Sequence, residues 1–348
     1  MTAATATAAA AVAEFNYSVL VSRTDSTFRP HDAPDHPLDI AGLSVGRAAD
    51  VLACVLGVWK QFSLPADVVA TMGGVLAGLL EQLTKAGFTV HTADEETLTR
   101  FATTNPAGHA APTFEEVLLR HNVINGTYLA LEDARMIEPA APLTLPGSAY
   151  PTSAGRAHVR SATHDEVLLI RLASRMVQSQ RRQYLATACV AICSSTATTA
   201  EAPQVLWHNC ASDDLTLAGR TSLNDRAGMN IAARTVTMDH WATTALSAWK
   251  AERSALRPVH EDDSVLYTGT QALTSNSAAA STDQQVKKAI KLAGLAQAPG
   301  LTAGSLRLWS ILKDATDLAS AARAARQGGI TLVALHTRVE TLIANATK

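Results

Sequence analysis

Arg307 is a basic residue whose surroundings in the sequence raise a question of chemistry. It lies in the segment LTAGSLRLWS (301–310), where a Thr-Ala-Gly turn leads into an apolar helix. A guanidinium presents a rigid fork of N–H donors that suits a phosphate or a carboxylate. The segment alone leaves both options open, a phosphate contact or an ion pair with Asp314 or Asp317.

A second group of candidate ligands consists of three cysteines and one histidine. Cys189 and Cys193 are spaced to share one helix face, and His208 lies two residues before Cys210. The spacing matches no common zinc module, and the ACVAIC segment is apolar, as is usual for small buried cysteines. We therefore predict neither a metal nor a cofactor. The sequence also lacks the Walker, G-x-G-x-x-G and H-E-x-x-H motifs.

Length and composition indicate what must position such residues. A chain of 348 residues predicts about two domains. Hydrophobic residues make up 47%, aromatics only 5%, and alanine is abundant, which favours a mostly helical protein with little sheet. The net charge of −2 means that any basic surface must be local. Four cysteines suggest reduced thiols, so we expect a cytoplasmic, bacterial-type protein.

The first half of the chain reads as an arm followed by four helices. Residues 1–40 are small, polar and contain proline, and we expect them to be disordered or extended. Helical patterns then cover 44–62, 65–87, 94–103 and 112–139, with Ser44 as a possible cap and Thr113 near the start of the last helix. The apolar segment 66–80 contains three glycines and precedes Glu81. We judged it too short to span a bilayer and predict no membrane partner.

A basic, acid-free stretch rich in proline and glycine separates the two halves. We place a helical domain at 41–145, the linker at 146–162 and a second domain at 163–348. The second domain opens with helical patterns at 164–176 and 181–193, and strand-like segments follow at 215–220 and 232–238. Further helical patterns cover 239–254, 281–295, the Arg307 segment, 317–328 and 331–344.

This order of elements resembles the tyrosine recombinase (phage integrase) family. Glu201 and Trp207 stand at the spacing of that family's Arg-x-x-Glu-(x)5-Trp pattern in TTAEAPQVLW, ARTVTMDHW resembles its strand before a Val-Pro-Leu run, and GSLRLW falls at its His-x-x-Arg helix. The resemblance implies a mainly α fold with a small antiparallel β-sheet. It also implies two domains, a helical core-binding (SAM-like) domain and an integrase-like C-terminal domain.

The family chemistry requires two arginines, a lysine, histidine-type groups and a nucleophilic tyrosine around one phosphate. The resemblance places Thr198 at the first arginine, Arg220 at the lysine and Gly304 at the first histidine. The Gly-His turn falls near Arg326, and the tyrosine position falls on or beside His336. No tyrosine follows Tyr267, and only Arg307 keeps the family identity. We therefore expect a degenerate site without catalytic residues.

The resulting hypothesis is a catalytically inactive protein that clamps double-stranded DNA and self-associates on it. We expect it to be nucleoid-associated when bound and to act as a regulator or as an accessory factor of recombination or maintenance. Two alternatives stay open. One is a recombinase whose nucleophile is His336 or is donated by a partner, and the other is a protein-interaction scaffold without DNA binding. Each exposed basic residue could equally belong to a solvated face. The candidate DNA contacts are Arg156, Arg160, Arg181, Arg182, Arg220, Lys287, Lys288, Lys291 and Arg307.

Overall fold

A computed structural model describes residues 43–105, 109–145, 159–177, 184–220, 230–267, 269, 272–313, 315, 317–333 and 335–336. The described part is mainly helical and contains a small antiparallel sheet, which confirms the predicted fold class. Contacts between residues divide the chain into two compact units. The first unit comprises Met1–Thr152, His164–Met176 and Ile290–Ala298, and the second comprises Ser153–Thr163, Val177–Ala289 and Pro299–Lys348. The predicted domain limits stay a prediction.

Five helices form the described part of the first unit. They are α1 (Ala48–Trp59), α2 (Ala66–Lys85), α3 (Glu95–Thr103), α4 (Phe114–Asp133) and α5 (His164–Met176). Helix α4 is central, because α1, α2, α3 and α5 all pack against it. The approach of α1 to α4 is close, since Trp59 Nε1 donates to the Gly126 carbonyl at 3.1 Å and a Cβ at Gly126 would lie 3.2 Å from the indole.

The helix boundaries follow local chemistry. A capping box joins Thr113 and Glu116 at the start of α4. Helix α2 begins directly after Pro65, and the chain leaves it at Gly87, which has the left-handed φ of +78°. Ser44 is not the cap of α1, because Arg47 occupies the N-cap position and no side chain caps it. The Ser44 amide instead donates to Asp50.

Helix α2 is longer than the 15-residue apolar segment seen in the sequence. Its 20 residues are long and apolar enough to cross a membrane by length and composition alone. Its Met72, Leu76 and Leu79 are nevertheless buried within the first unit, as in the core helix of a globular domain.

The second unit places a three-stranded antiparallel sheet beside helices. Helix α6 (Leu185–Cys193) packs against α7 (His240–Leu256) and α9 (Ala303–Leu312), and α10 (Leu318–Gln327) packs against α9. Helix α8 (Asn276–Leu292) ends in the first unit. The strands are β1 (Cys210–Ala211), β2 (Asp214–Leu217) and β3 (Arg234–Thr237), in the order β1-β2-β3, and α10 contacts β3. Strand β1 was not predicted.

Candidate nucleic-acid interface

A cleft of about 1010 Å³ in the second unit lies between the β2–β3 hairpin and the end of α10. Its wall contains four arginines, and no aspartate or glutamate is among the described residues that line it. Arg220, Arg323 and Arg326 are exposed, whereas the side chain of Arg234 is only 5% exposed. The three exposed guanidiniums, in a wall whose described residues include no carboxylate, favour an anionic ligand.

The hairpin side of the cleft depends on one glycine. Leu217 pairs with Arg234 at the end of the strands, and Arg220 forms an isolated bridge with Ile231. Between these pairs, Gly219 has φ +79°, and a Cβ there would lie 2.5 Å from the Ile231 carbonyl oxygen. Only glycine fits this close approach, and the resulting turn carries the exposed Arg220 at the mouth of the cleft.

Arg234 forms the floor of the cleft, and its guanidinium is completely engaged. Nε donates to the Gln327 carbonyl at 2.8 Å. Nη1 donates to Glu201 Oε1 at 2.6 Å and to the Ala232 carbonyl at 3.2 Å. Nη2 donates to the Thr196 carbonyl at 2.7 Å and to Glu201 Oε2 at 3.3 Å. A guanidinium has five N–H donors, so Arg234 has none left for a ligand.

Glu201, which the resemblance singled out, is the buried partner of this arginine. Its side chain is fully buried, and its Oε2 also accepts from the Thr198 amide at 2.9 Å. The Thr198 hydroxyl accepts from the Glu201 amide at 3.1 Å, which closes a local turn. The position that the resemblance gives to an arginine is therefore occupied by the uncharged Thr198. The guanidinium that bonds to Glu201 belongs to Arg234 in β3.

Arg307 is buried near the bonds of Arg234 to Thr196, a group of contacts called here the α10 junction, and it is not among the residues that line the cleft. Its Nε donates to the Thr196 carbonyl at 2.9 Å, and its Nη2 donates to the Gly328 carbonyl at 2.5 Å. Asp317 accepts from the Ser320 amide as the N-cap of α10. The described partners of Arg307 are therefore main-chain carbonyls. A phosphate contact of Arg307 stays a prediction.

Arg323 and Arg326 reach the cleft from α10, three residues apart in its last turns. Hydrogen bonds from Ser320 hold the pKa of the exposed Asp317 carboxyl below its usual range, and the charge of Arg323 contributes to this shift. Among the residues that the structure describes, Arg220 and Arg326 have no ion-pair partner.

Other predicted residues lie away from the cleft wall. Arg160 donates to the carbonyls of Pro299 and Ser161. Lys287 pairs with Asp283 at 2.6 Å, and Lys288 and Lys291 are exposed on α8. Gly304 is half-buried in the first turn of α9, and His336 is exposed. Residues that fall outside the described part are Arg156, Arg181, Arg182, the arm 1–40 and most of the linker.

Sequence reasoning missed Arg234 and Arg323 as members of this site, and it did not include Arg326 among the DNA contacts. A signal for Arg234 existed, because Glu201 in the apolar TTAEAPQVLW segment requires a cationic partner if it is buried. The AARTVTM strand offered one. Arg323 had no comparable signal, since only the position of α10 beside β3 brings it to the cleft.

The absence of a metal at Cys189, Cys193, His208 and Cys210 stays a prediction. Within the described residues, no group of three or more His, Cys, Asp or Glu side chains could hold an ion. Burial raises the pKa of the Cys193 thiol to about 12 and that of Cys210 to about 11. At neutral pH both thiols are therefore protonated in the structure as described.

Solved structures that resemble this chain include recombinases. The crystal structure of XerA recombinase is 13% identical, with a TM-score of 0.38, over 84% of this chain and 93% of that chain. XerH site-specific recombinase bound to difH substrate in a pre-cleavage complex is 14% identical, with a TM-score of 0.38, over 96% of this chain and 92% of that chain. The XerH post-cleavage complex with palindromic difH substrate is 16% identical, with a TM-score of 0.38, over 92% and 88%. No protein-family model and no curated protein matches the sequence.

Proposed function

We propose that the chain binds double-stranded DNA through its phosphate backbone, with the arginine cleft of the second unit as the contact surface. The observation that carries the proposal is the grouping of Arg220, Arg323 and Arg326 as exposed guanidiniums in a wall whose described residues include no carboxylate. Arginine forks suit phosphate oxygens, and backbone contacts of this kind supply affinity without reading sequence. Because the net charge is −2, this local field supplies the attraction.

We further propose that the protein binds DNA without cutting it. Transition-state stabilisation at a phosphate needs donors aimed at the reacting oxygens. The positions that the resemblance assigns to catalytic groups hold Thr198, Gly304 and His336. The N–H donors of Arg234 are all bonded to acceptors inside the protein. A role as a regulator or accessory recombination factor, self-association on DNA and a cytoplasmic location belong to the same proposal.

A salt titration tests DNA binding. Fluorescence anisotropy with a labelled random duplex should give a dissociation constant that rises steeply with salt. The double variant Arg323→Gln/Arg326→Gln should weaken binding and flatten the slope of log affinity against log salt by roughly two units, one per lost phosphate contact. Arg257→Gln is the matched control, since Arg257 is exposed in the same unit outside the described cleft wall.

Equal slopes for the wild type and the double variant would remove the cleft from the interface. No salt-dependent binding at all would favour the scaffold alternative. A separate incubation with nicked and supercoiled DNA, analysed after denaturation, tests catalysis. We expect no covalent protein–DNA adduct, and an adduct that disappears in His336→Ala would support the recombinase alternative instead.

A further inference from the structure

The C-terminal end of α10 is held by an unusual density of hydrogen bonds. Gly329, with φ +65°, is the left-handed residue that ends a Schellman motif, in which the Ile330 amide donates to Ala325 and the Gly329 amide donates to Arg326. This motif turns the chain but leaves the next carbonyls without partners inside the helix. Their partners come from other elements of the second unit.

Three successive carbonyls at the end of α10, those of Gln327, Gly328 and Gly329, each accept a bond from outside the helix. Gln327 accepts from Arg234 Nε at 2.8 Å and from the Thr196 hydroxyl at 2.9 Å. Gly328 accepts from Arg307 Nη2, and Gly329 accepts from the Ala232 amide at 2.9 Å. The two guanidiniums complement the negative end of the helix dipole. The guanidiniums of Arg234 and Arg307 also share one acceptor, because both donate to the Thr196 carbonyl.

Arg234 is the member of this junction that faces the cleft. Its donors connect β3 itself, the buried Glu201 and the α10 terminus at Gln327, so its guanidinium fixes the helix end relative to the hairpin. Arg326 lies one residue before Gln327, in the last turn of the same helix. Any shift of the Gln327 carbonyl must therefore move Arg326, and with it the spacing between the α10 arginines and Arg220.

We infer that Arg234 is a positioning residue of the cleft, which does not bind phosphate but orients Arg323 and Arg326 toward it by fixing the end of α10. The inference rests on the proposed function for its consequence in DNA binding. Its mechanical part, the docking of α10 on β3, is independent of DNA. The two parts can therefore be tested separately.

The informative variant is Arg234→Lys, which keeps the positive charge but has one ammonium in place of a planar fork. A lysine cannot reach Gln327, Glu201 and Thr196 together, so the α10 terminus should loosen. Hydrogen–deuterium exchange without DNA should become faster at the end of α10, for example at the Gly328 amide that donates to Ala324. Exchange in α7 should stay unchanged.

Arg253→Lys is the matched control. Arg253 is also a buried arginine that donates to main-chain carbonyls, those of Ser264 and Val265, but it lies outside the described cleft wall. It should lower the melting temperature without changing exchange at α10. Gly329→Ala is a second perturbation of the same junction, because a Cβ there would lie 2.8 Å from the Ala232 carbonyl oxygen and 3.0 Å from Arg234 Cδ.

A double-mutant cycle on DNA affinity separates positioning from direct contact. Arg234→Lys should weaken binding about tenfold or more in the wild-type background, the loss expected when a misplaced α10 arginine gives up one charge-assisted contact to phosphate. In the Arg323→Gln/Arg326→Gln background it should cost little further, because the residues through which it acts are gone. Additive losses would assign a direct phosphate contact to residue 234 and overturn the inference. Unchanged exchange at α10 in both Arg234→Lys and Gly329→Ala would overturn it whether or not the protein binds DNA.

Discussion

The buried pair of Glu201 and Arg234 makes a quantitative prediction for Glu201→Gln. The glutamine keeps the shape of the side chain but removes the charge and converts one acceptor into an amide donor. Both carboxylate oxygens accept from Arg234, and Oε2 also accepts from the Thr198 amide. The new NH2 group must therefore face another donor, and Arg234, whose side chain is 5% exposed, loses its counter-charge.

Removing one partner of a buried ion pair costs about 3–5 kcal/mol. Because the amide still accepts one hydrogen bond, we expect the lower end, about 3 kcal/mol. For a folding unit of this size, 1 kcal/mol shifts the melting temperature by about 2–4 °C. Glu201→Gln should therefore lower the melting temperature of the second unit by roughly 6–12 °C, measured by differential scanning calorimetry.

The control is Glu261→Gln, which breaks an exposed pair with Lys250 at 3.5 Å, whose side chains are 45% and 67% exposed for lysine and glutamate. Solvent screening limits such a pair to at most about 1 kcal/mol. If Glu201→Gln and Glu261→Gln shift the transition equally, then the carboxylate of Glu201 does not hold Arg234 as the geometry indicates. Arg234 would then not be held by Glu201 at the α10 terminus.

Three further predictions concern stability and thiol chemistry. Arg307→Ala should lower the free energy of unfolding by about 2–4 kcal/mol in urea titrations, because two main-chain carbonyls lose a charged donor; a loss below about 1 kcal/mol would contradict this structural role. Burial lowers the pKa of His121, so the folded state keeps it neutral. Unfolding free energy should therefore fall as pH drops below about 6.5, where the unfolded chain takes up the proton, and His121→Gln should flatten this dependence. Cys54 in the native protein should resist maleimide labelling at neutral pH, because burial raises the pKa of its thiol to about 12. Because Cys210 is only half-buried, the labelled residue must be located by peptide mass spectrometry, and rapid labelling at Cys54 would argue against its burial.

Local chemistry was sufficient to predict most helices. The Thr113 start of α4 and the Gly87 exit from α2 are signals within a few residues of the boundary that they set. Strand β1 escaped prediction because two residues, Cys210 and Ala211, carry no periodicity. Its existence depends on pairing with β2, which the local pattern does not reveal.

The candidate site was less predictable because its contacts join distant parts of the chain. Arg220 was a candidate DNA contact and Arg326 was placed only near a turn of the resemblance, and nothing local indicates that they share a cleft with Arg323. Arg307 shows the opposite difficulty, since an arginine in an apolar helix start looks the same whether it meets a phosphate or a carbonyl. Only the tertiary position of the Thr196 and Gly328 carbonyls distinguishes the two.

The division of labour among the arginines connects the fold to the proposed function. A buried guanidinium must satisfy its donors inside the protein, and Arg234 does so with one carboxylate and three carbonyls. Such a group cannot adjust its bonds to a changing phosphate geometry without breaking the junction that holds α10. Arg220, Arg323 and Arg326 are exposed, so they exchange water for a ligand at low cost but do so in a hydrated cleft, where electrostatic stabilisation of a transition state is weak. A site with buried, fully bonded arginines inside and exposed arginines outside is therefore suited to holding a phosphate backbone. This agrees with the proposal of binding without cleavage, which rests on Thr198, Gly304 and His336 at the positions of the catalytic groups.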